Sequence, residues 1–118
     1  MLPFRSLLVV APHCDDEVLG AGGLMHRLAG EGGRVTALIV NPETEGRVRE
    51  GEAAALVLGS EVRFGGFHPG GLDVVPQRDL IEVIEDAISW CQPEAVAIPS
   101  HETAHQDHRA VAWAGMAE

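Results

Sequence analysis

The sequence predicts an α/β domain, three layers deep and Rossmann-like, with a mainly parallel sheet in strand order 3-2-1-4. Three observations carry that expectation. Short β-branched apolar runs alternate with longer segments of helical spacing along the whole chain. Proline or glycine punctuates the joints, as at Pro12, Pro42, Gly59 and Pro93. With 118 residues, 46% of them apolar, and no linker-like stretch, residues 1–118 fit one domain with one core.

The elements follow in order. Residues 6–12 read as a buried strand, a continuous Leu/Val run ending at a proline. A helix is expected over 18–31, where Val18, Leu19, Met25, Leu28 and Ala29 recur near helical spacing and Gly32-Gly33 stop it. Val35 to Val40 form the second strand, broken by Asn41-Pro42. An Ala/Glu/Leu-rich helix over 46–58 closes at Gly59, and 61–64 form a weaker third strand. The Gly-rich stretch 65–72 is a loop. Leu80, Ile81, Ile84, Ala87 and Ile88 mark the apolar stripe of a helix over 77–91. Residues 94–98 are the fourth strand, and a last helix starts near Gln106. Right-handed crossovers in the order 3-2-1-4 make strands 1 and 4 neighbours at the point where the winding reverses.

Two histidine–aspartate clusters follow those two strands. Pro12-His13-Cys14-Asp15-Asp16-Glu17 comes after the first, and His105-Gln106-Asp107-His108 after the fourth. Both clusters should open into one crevice at the carboxyl edge of the sheet. A catalytic metal needs three protein ligands and an open position. His13 and Asp16 can face one point, and His108 can meet them from across the crevice. Asp15 is then left over as a general base for the attacking water. His105 can stabilise an oxyanion or protonate a leaving amine, and Asp107 can orient an imidazole. The chemistry implied is hydrolysis of an amide or ester by zinc, with ferrous iron or another divalent ion as an alternative.

At these residues the chain resembles the LmbE-like or PIG-L family of metal-dependent N-deacetylases. The first cluster resembles the family's His-Pro-Asp-Asp-Glu signature and the second its His-Pro-Asp-His. The likeness extends to Gly20-Ala21-Gly22-Gly23, to Arg47-Val48-Arg49-Glu50 leading to Leu58-Gly59, and to Gly70-Gly71-Leu72. It implies removal of an acetyl group from an N-acetylglucosamine-type amino sugar or glycoconjugate, in natural-product or thiol-cofactor biosynthesis. It implies zinc on His13, Asp16 and His108, Asp15 as base, His105 at the oxyanion or leaving group, and Arg47 as a substrate-binding residue.

The chain departs from the family pattern at four places. Cys14 and Gln106 replace prolines within the signatures, which removes a backbone restraint but no ligand. Pro69 stands where many members have Asp, and Thr103 where an acidic or polar residue is common. The chain stops at Glu118, whereas family members continue into further strands and helices. The expectation is therefore a fragment of a longer product, or an oligomer or partner chain that covers the truncated sheet edge. A second reading follows from the same truncation: a catalytically impaired metal-binding or partner-binding module.

Other readings are weaker. With 18 acidic residues, eight basic ones and a net charge of −10, the chain lacks the clustered cations that nucleic acid or an anionic membrane requires, so a small-molecule partner is expected. The N-terminus has no secretory leader pattern and no run reaches spanning length, so a cytoplasmic protein is expected. Asp15 or Asp16, and Gln106-Asp107, can alternatively cap helices. The Gly20–Gly23 run suits close helix–sheet packing better than a dinucleotide, because acidic residues precede it. Cys14 is disfavoured as a nucleophile, since neighbouring carboxylates raise a thiol pKa, and Cys91 reads as core. A non-haem iron oxygenase shares the two-His, one-carboxylate set, but its usual all-β barrel does not match the alternating pattern.

Overall fold

The computed structural model describes residues 1–68, 70–102 and 105–117. Its elements are β1 (Ser6–Ala11), α1 (Asp16–Gly30), β2 (Arg34–Ile39), α2 (Glu45–Leu58), β3 (Glu61–Phe64), α3 (Gln77–Cys91), β4 (Ala95–Ala97) and α4 (Gln106–Met116). All four strands are parallel and lie in the order β3-β2-β1-β4. The fold is the α/β arrangement expected, with boundaries moved by a few residues.

β1 is central and buried along its whole length, which explains why its sequence reads as an unbroken apolar run. Successive side chains point to opposite faces. Leu8 and Val10, with Leu38 and Val40 of the second strand's row, pack against Leu80, Ile84 and Ala87 of α3 and Val111 and Ala114 of α4. Leu7, Val9, Val35 and Ala37 pack against Met25 and Leu28 of α1 on the other face. The helices thus form two layers with the sheet between them. Ile84 is 1% exposed, so truncating it to alanine would cost about 2–5 kcal/mol.

Local signals set the ends. The Thr44 side chain accepts from Arg47 N at 3.2 Å and caps α2, whose end turns through Gly59 at φ 72°. Gly65 lies so close to the Val40 carbonyl that a Cβ there would collide with it. α1 begins two residues earlier than the apolar periodicity predicts, because Asp16 and Glu17 occupy its first turn, where carboxylates suit the helix dipole. β4 is shorter than predicted, three residues in register with Leu7, Leu8 and Val9. Among the described residues it pairs on one side only, and its Val96 is 42% exposed. No helix among the described residues is long and apolar enough to cross a membrane.

The glycine run of α1 plays a different part from the one predicted. A Cβ on Gly22 would touch Val18 and Leu58 of α2, while Gly20 and Gly23 have nothing within 4 Å. The close approach is helix to helix at one glycine rather than helix to sheet along the run.

Candidate metal centre

The carboxyl ends of β1 and β4 lie side by side, and the loops after them carry the two clusters to one place. One ligand atom from each of His13, Asp16 and His108 falls within 4.8 Å of the others. His108 Nε2 is 3.3 Å from Asp16 Oδ2, and His13 Nδ1 is 3.7 Å from the same oxygen. An ion with bonds near 2.1 Å in tetrahedral geometry separates its ligand atoms by about 3.4 Å, close to both separations from Asp16, while the two histidine nitrogens, within 4.8 Å, would draw together to share it. Two imidazoles and a carboxylate are a donor set that a borderline divalent cation takes.

Asp107 supports this arrangement from behind. Its carboxyl is 5% exposed; Oδ2 lies 2.8 Å from His13 Nε2, and Oδ1 accepts from Leu72 N at 2.8 Å. A carboxylate on Nε2 fixes the proton there and turns the Nδ1 lone pair toward Asp16 and His108. The backbone supplies a second restraint, since His13 N donates to Asp16 Oδ2 at 3.0 Å.

Asp15 sits immediately before α1 with φ 83°, in the left-handed region, and its side chain makes no capping bond. That conformation turns an exposed carboxylate toward Arg47, whose guanidinium is 3.8 Å away and also pairs with Glu50 at 3.0 Å. The Arg47 pKa is raised chiefly by the Glu50 charge. Helix capping therefore does not account for Asp15, and Asp16 spends its oxygen on His13 N rather than on α1.

His105 lies just outside α4 as its N-cap, and its Nδ1 accepts from Asp107 N at 3.1 Å. The ring nonetheless stands near the others, 4.8 Å from His108 and 5.8 Å from His13 between centroids. With Nδ1 used as an acceptor, the neutral ring carries its proton on Nε2. Gln106 and Asp107 do not cap α4 through their side chains.

Cys14 is buried, 3% exposed, and donates to the Arg47 carbonyl. Burial first, then the Glu17 charge, pushes its thiol pKa up to about 11, which leaves almost no thiolate near neutrality. Cys91 is core, as expected. Glu17 is a residue whose environment the sequence did not reveal: it is 2% exposed, and burial raises its carboxyl above the ordinary range. Its place in the signature was visible, but nothing in a single sequence marks a helical glutamate as buried. Pro69 and Thr103 lie outside the described residues.

A cavity of about 450 Å³ opens beside two of the three candidate ligands, between α1 and β4. Asp16 and His108 form its polar end, and Leu19, Ala21, Ala97, Ile98 and Pro99 line its apolar remainder.

Comparison with known proteins gives this geometry a context. The 1D-myo-inositol 2-acetamido-2-deoxy-alpha-D-glucopyranoside deacetylase of Salinispora arenicola is 39% identical over 71 residues, covering 60% of this chain and 23% of the relative. The Rhodococcus opacus protein of the same name is 43% identical over 68 residues, 58% of this chain and 23% of the relative. The crystal structure of a conserved protein from Thermus thermophilus superposes with a TM-score of 0.81 at 34% identity, covering 94% of this chain and 53% of that one. The matched part is thus about a quarter of the curated relatives and about half of the solved structure. The family model for GlcNAc-PI de-N-acetylase, PIG-L, matches residues 8–117. On that match, with both histidine–aspartate clusters inside it, the chain belongs to the PIG-L family.

Proposed function

We propose that this chain is a zinc-dependent N-deacetylase that hydrolyses the acetamide of an N-acetylglucosamine-type amino sugar or glycoconjugate. The convergence of His13, Asp16 and His108 within 4.8 Å, brought together from opposite ends of the chain, carries the reading. Its kinship with deacetylases of an acetamido sugar supports the substrate class.

His13, Asp16 and His108 would hold the ion, which supplies Lewis acidity toward the amide carbonyl and the attacking water. Asp15, exposed and next to a ligand, takes the proton from that water. His105 Nε2 donates to the developing oxyanion or delivers a proton to the departing amine. Asp107 holds His13 in the tautomer that coordinates, and Arg47 binds the sugar from the mouth of α2. Breaking the C–N bond releases acetate and a free amine, which gains a proton at neutral pH.

The test is amine release from N-acetylglucosaminides by the purified, zinc-loaded chain. Turnover that disappears in Asp15→Asn while zinc uptake persists supports the proposal. Tight zinc uptake with no amine release from any such sugar instead favours a metal-binding or partner-binding module.

A further inference from the structure

Asn41 lies two residues past the end of β2 and is 1% exposed. A buried carboxamide is costly unless its hydrogen-bonding capacity is used, and here it is used on two different loops. Nδ2 donates to the His68 carbonyl at 2.9 Å, and Oδ1 accepts from His68 N at 3.0 Å. The same Oδ1 accepts from Glu43 N at 3.1 Å, at a residue with φ 71°. Its own backbone N–H donates to the Pro12 carbonyl at 2.8 Å, one residue before His13.

Three segments therefore meet at this one residue, two through its side chain and the loop after β1 through its backbone N–H. The loop after β1 carries His13, Asp15 and Asp16. The loop after β2 leads through Glu43 to the Thr44 cap and Arg47 in the first turn of α2. The loop after β3 passes His68, whose carbonyl also accepts from Gly71 N, and reaches Leu72, whose N–H holds Asp107. We infer that Asn41 is a positioning residue that locks the Arg47 loop and the 65–72 loop to the metal-bearing loop, so that substrate-binding groups keep their place relative to the three candidate ligands. The inference rests on the proposed deacetylase reading for its catalytic consequence, but the coupling of the loops does not.

The geometry makes two variants behave differently. Asn41→Ala removes all three side-chain bonds and should free both loops. Asn41→Asp keeps both accepted bonds but sets a carboxylate oxygen against the His68 carbonyl, so only the 65–72 loop should loosen. Neither change touches a candidate ligand.

Amide hydrogen exchange read by mass spectrometry on the full chain tests the coupling. The expected result is exchange at least about tenfold faster in both 43–48 and 65–72 for Asn41→Ala, and in 65–72 alone for Asn41→Asp, with β1 and α3 unchanged. Zinc affinity should stay within about threefold of the parent, while KM for an N-acetylglucosaminide rises about tenfold with kcat nearly constant. Uniformly faster exchange across the sheet, or loosened loops with KM unchanged, would overturn the inference. Absence of turnover in the parent chain would count against the deacetylase proposal alone, because the exchange pattern still decides whether Asn41 couples the loops.

Discussion

Replacing Asp107 by Asn tests the support behind the proposed metal centre. Asp107 is 5% exposed and its two oxygens serve two partners, Leu72 N at 2.8 Å and His13 Nε2 at 2.8 Å. In Asp107→Asn the carboxamide oxygen can still accept from Leu72 N, so the fold should lose only about 1 kcal/mol. The amide nitrogen, however, now faces His13 Nε2 and can only donate. His13 must then move its proton to Nδ1, the nitrogen that faces Asp16 Oδ2 and the shared ion position. Losing the orienting carboxylate of a metal-bound histidine costs about 10–100-fold in metal affinity, which is the loss expected here. Asp107→Ala should show the same loss of affinity and in addition orphan a buried N–H, destabilising the chain by about 1–3 kcal/mol beyond the Asn variant. Competitive chelator titration gives the affinity and urea unfolding without metal gives the stability. Asp107→Asn with parental zinc affinity would refute the claim that Asp107 fixes the His13 tautomer.

Three further outcomes are expected. Asp15 holds φ 83°, a conformation that costs a non-glycine residue on the order of 1 kcal/mol, so Asp15→Gly should raise Tm by roughly 3–5 °C while amine release falls by about 10²–10⁴-fold; a lowered Tm would show that the conformation is not strained. The Cys14 thiol is raised from 9.0 to about 11, so its neutral form stabilises the fold fully below about pH 9 and that contribution is lost as pH climbs toward 11. The stability difference between the parent and Cys14→Ala should therefore shrink across that window, and a difference that stays constant would contradict the burial argument. Glu17 is raised by desolvation, so its contribution is present below the usual carboxylate pKa near 4.5 and lost as pH rises. Glu17→Gln should gain stability relative to the parent at about pH 8 compared with about pH 4 in metal-free protein, and an advantage independent of pH would sink that reading.

Much of the fold was legible because its signals are local or periodic. β1 announces its central position by being apolar on both faces, and the spacing of Leu80, Ile84 and Ala87 places α3 to the residue. The meeting of His13 with His108 followed from strand order, since clusters after adjacent parallel strands must share an edge. What stayed hidden depends on contacts made only in three dimensions. The capping role of His105 Nδ1 needs the turn before α4, and the burial of Glu17 needs α1 docked on the sheet. Asn41 looked like a strand breaker beside Pro42, because a sequence cannot show that its carboxamide bridges loops 27 residues apart. The glycines of α1 failed in the opposite direction: a local pattern suggested close packing that only Gly22 provides.

The most direct measurement is the metal stoichiometry and coordination of the chain and of His13→Ala, Asp16→Ala and His108→Ala, by elemental analysis with X-ray absorption at the zinc edge. The account predicts one equivalent in the parent with two imidazoles and a carboxylate bound to it, and loss of tight binding in each variant. Full, unchanged zinc uptake by His108→Ala would contradict it, because the two ends of the chain would then not share an ion.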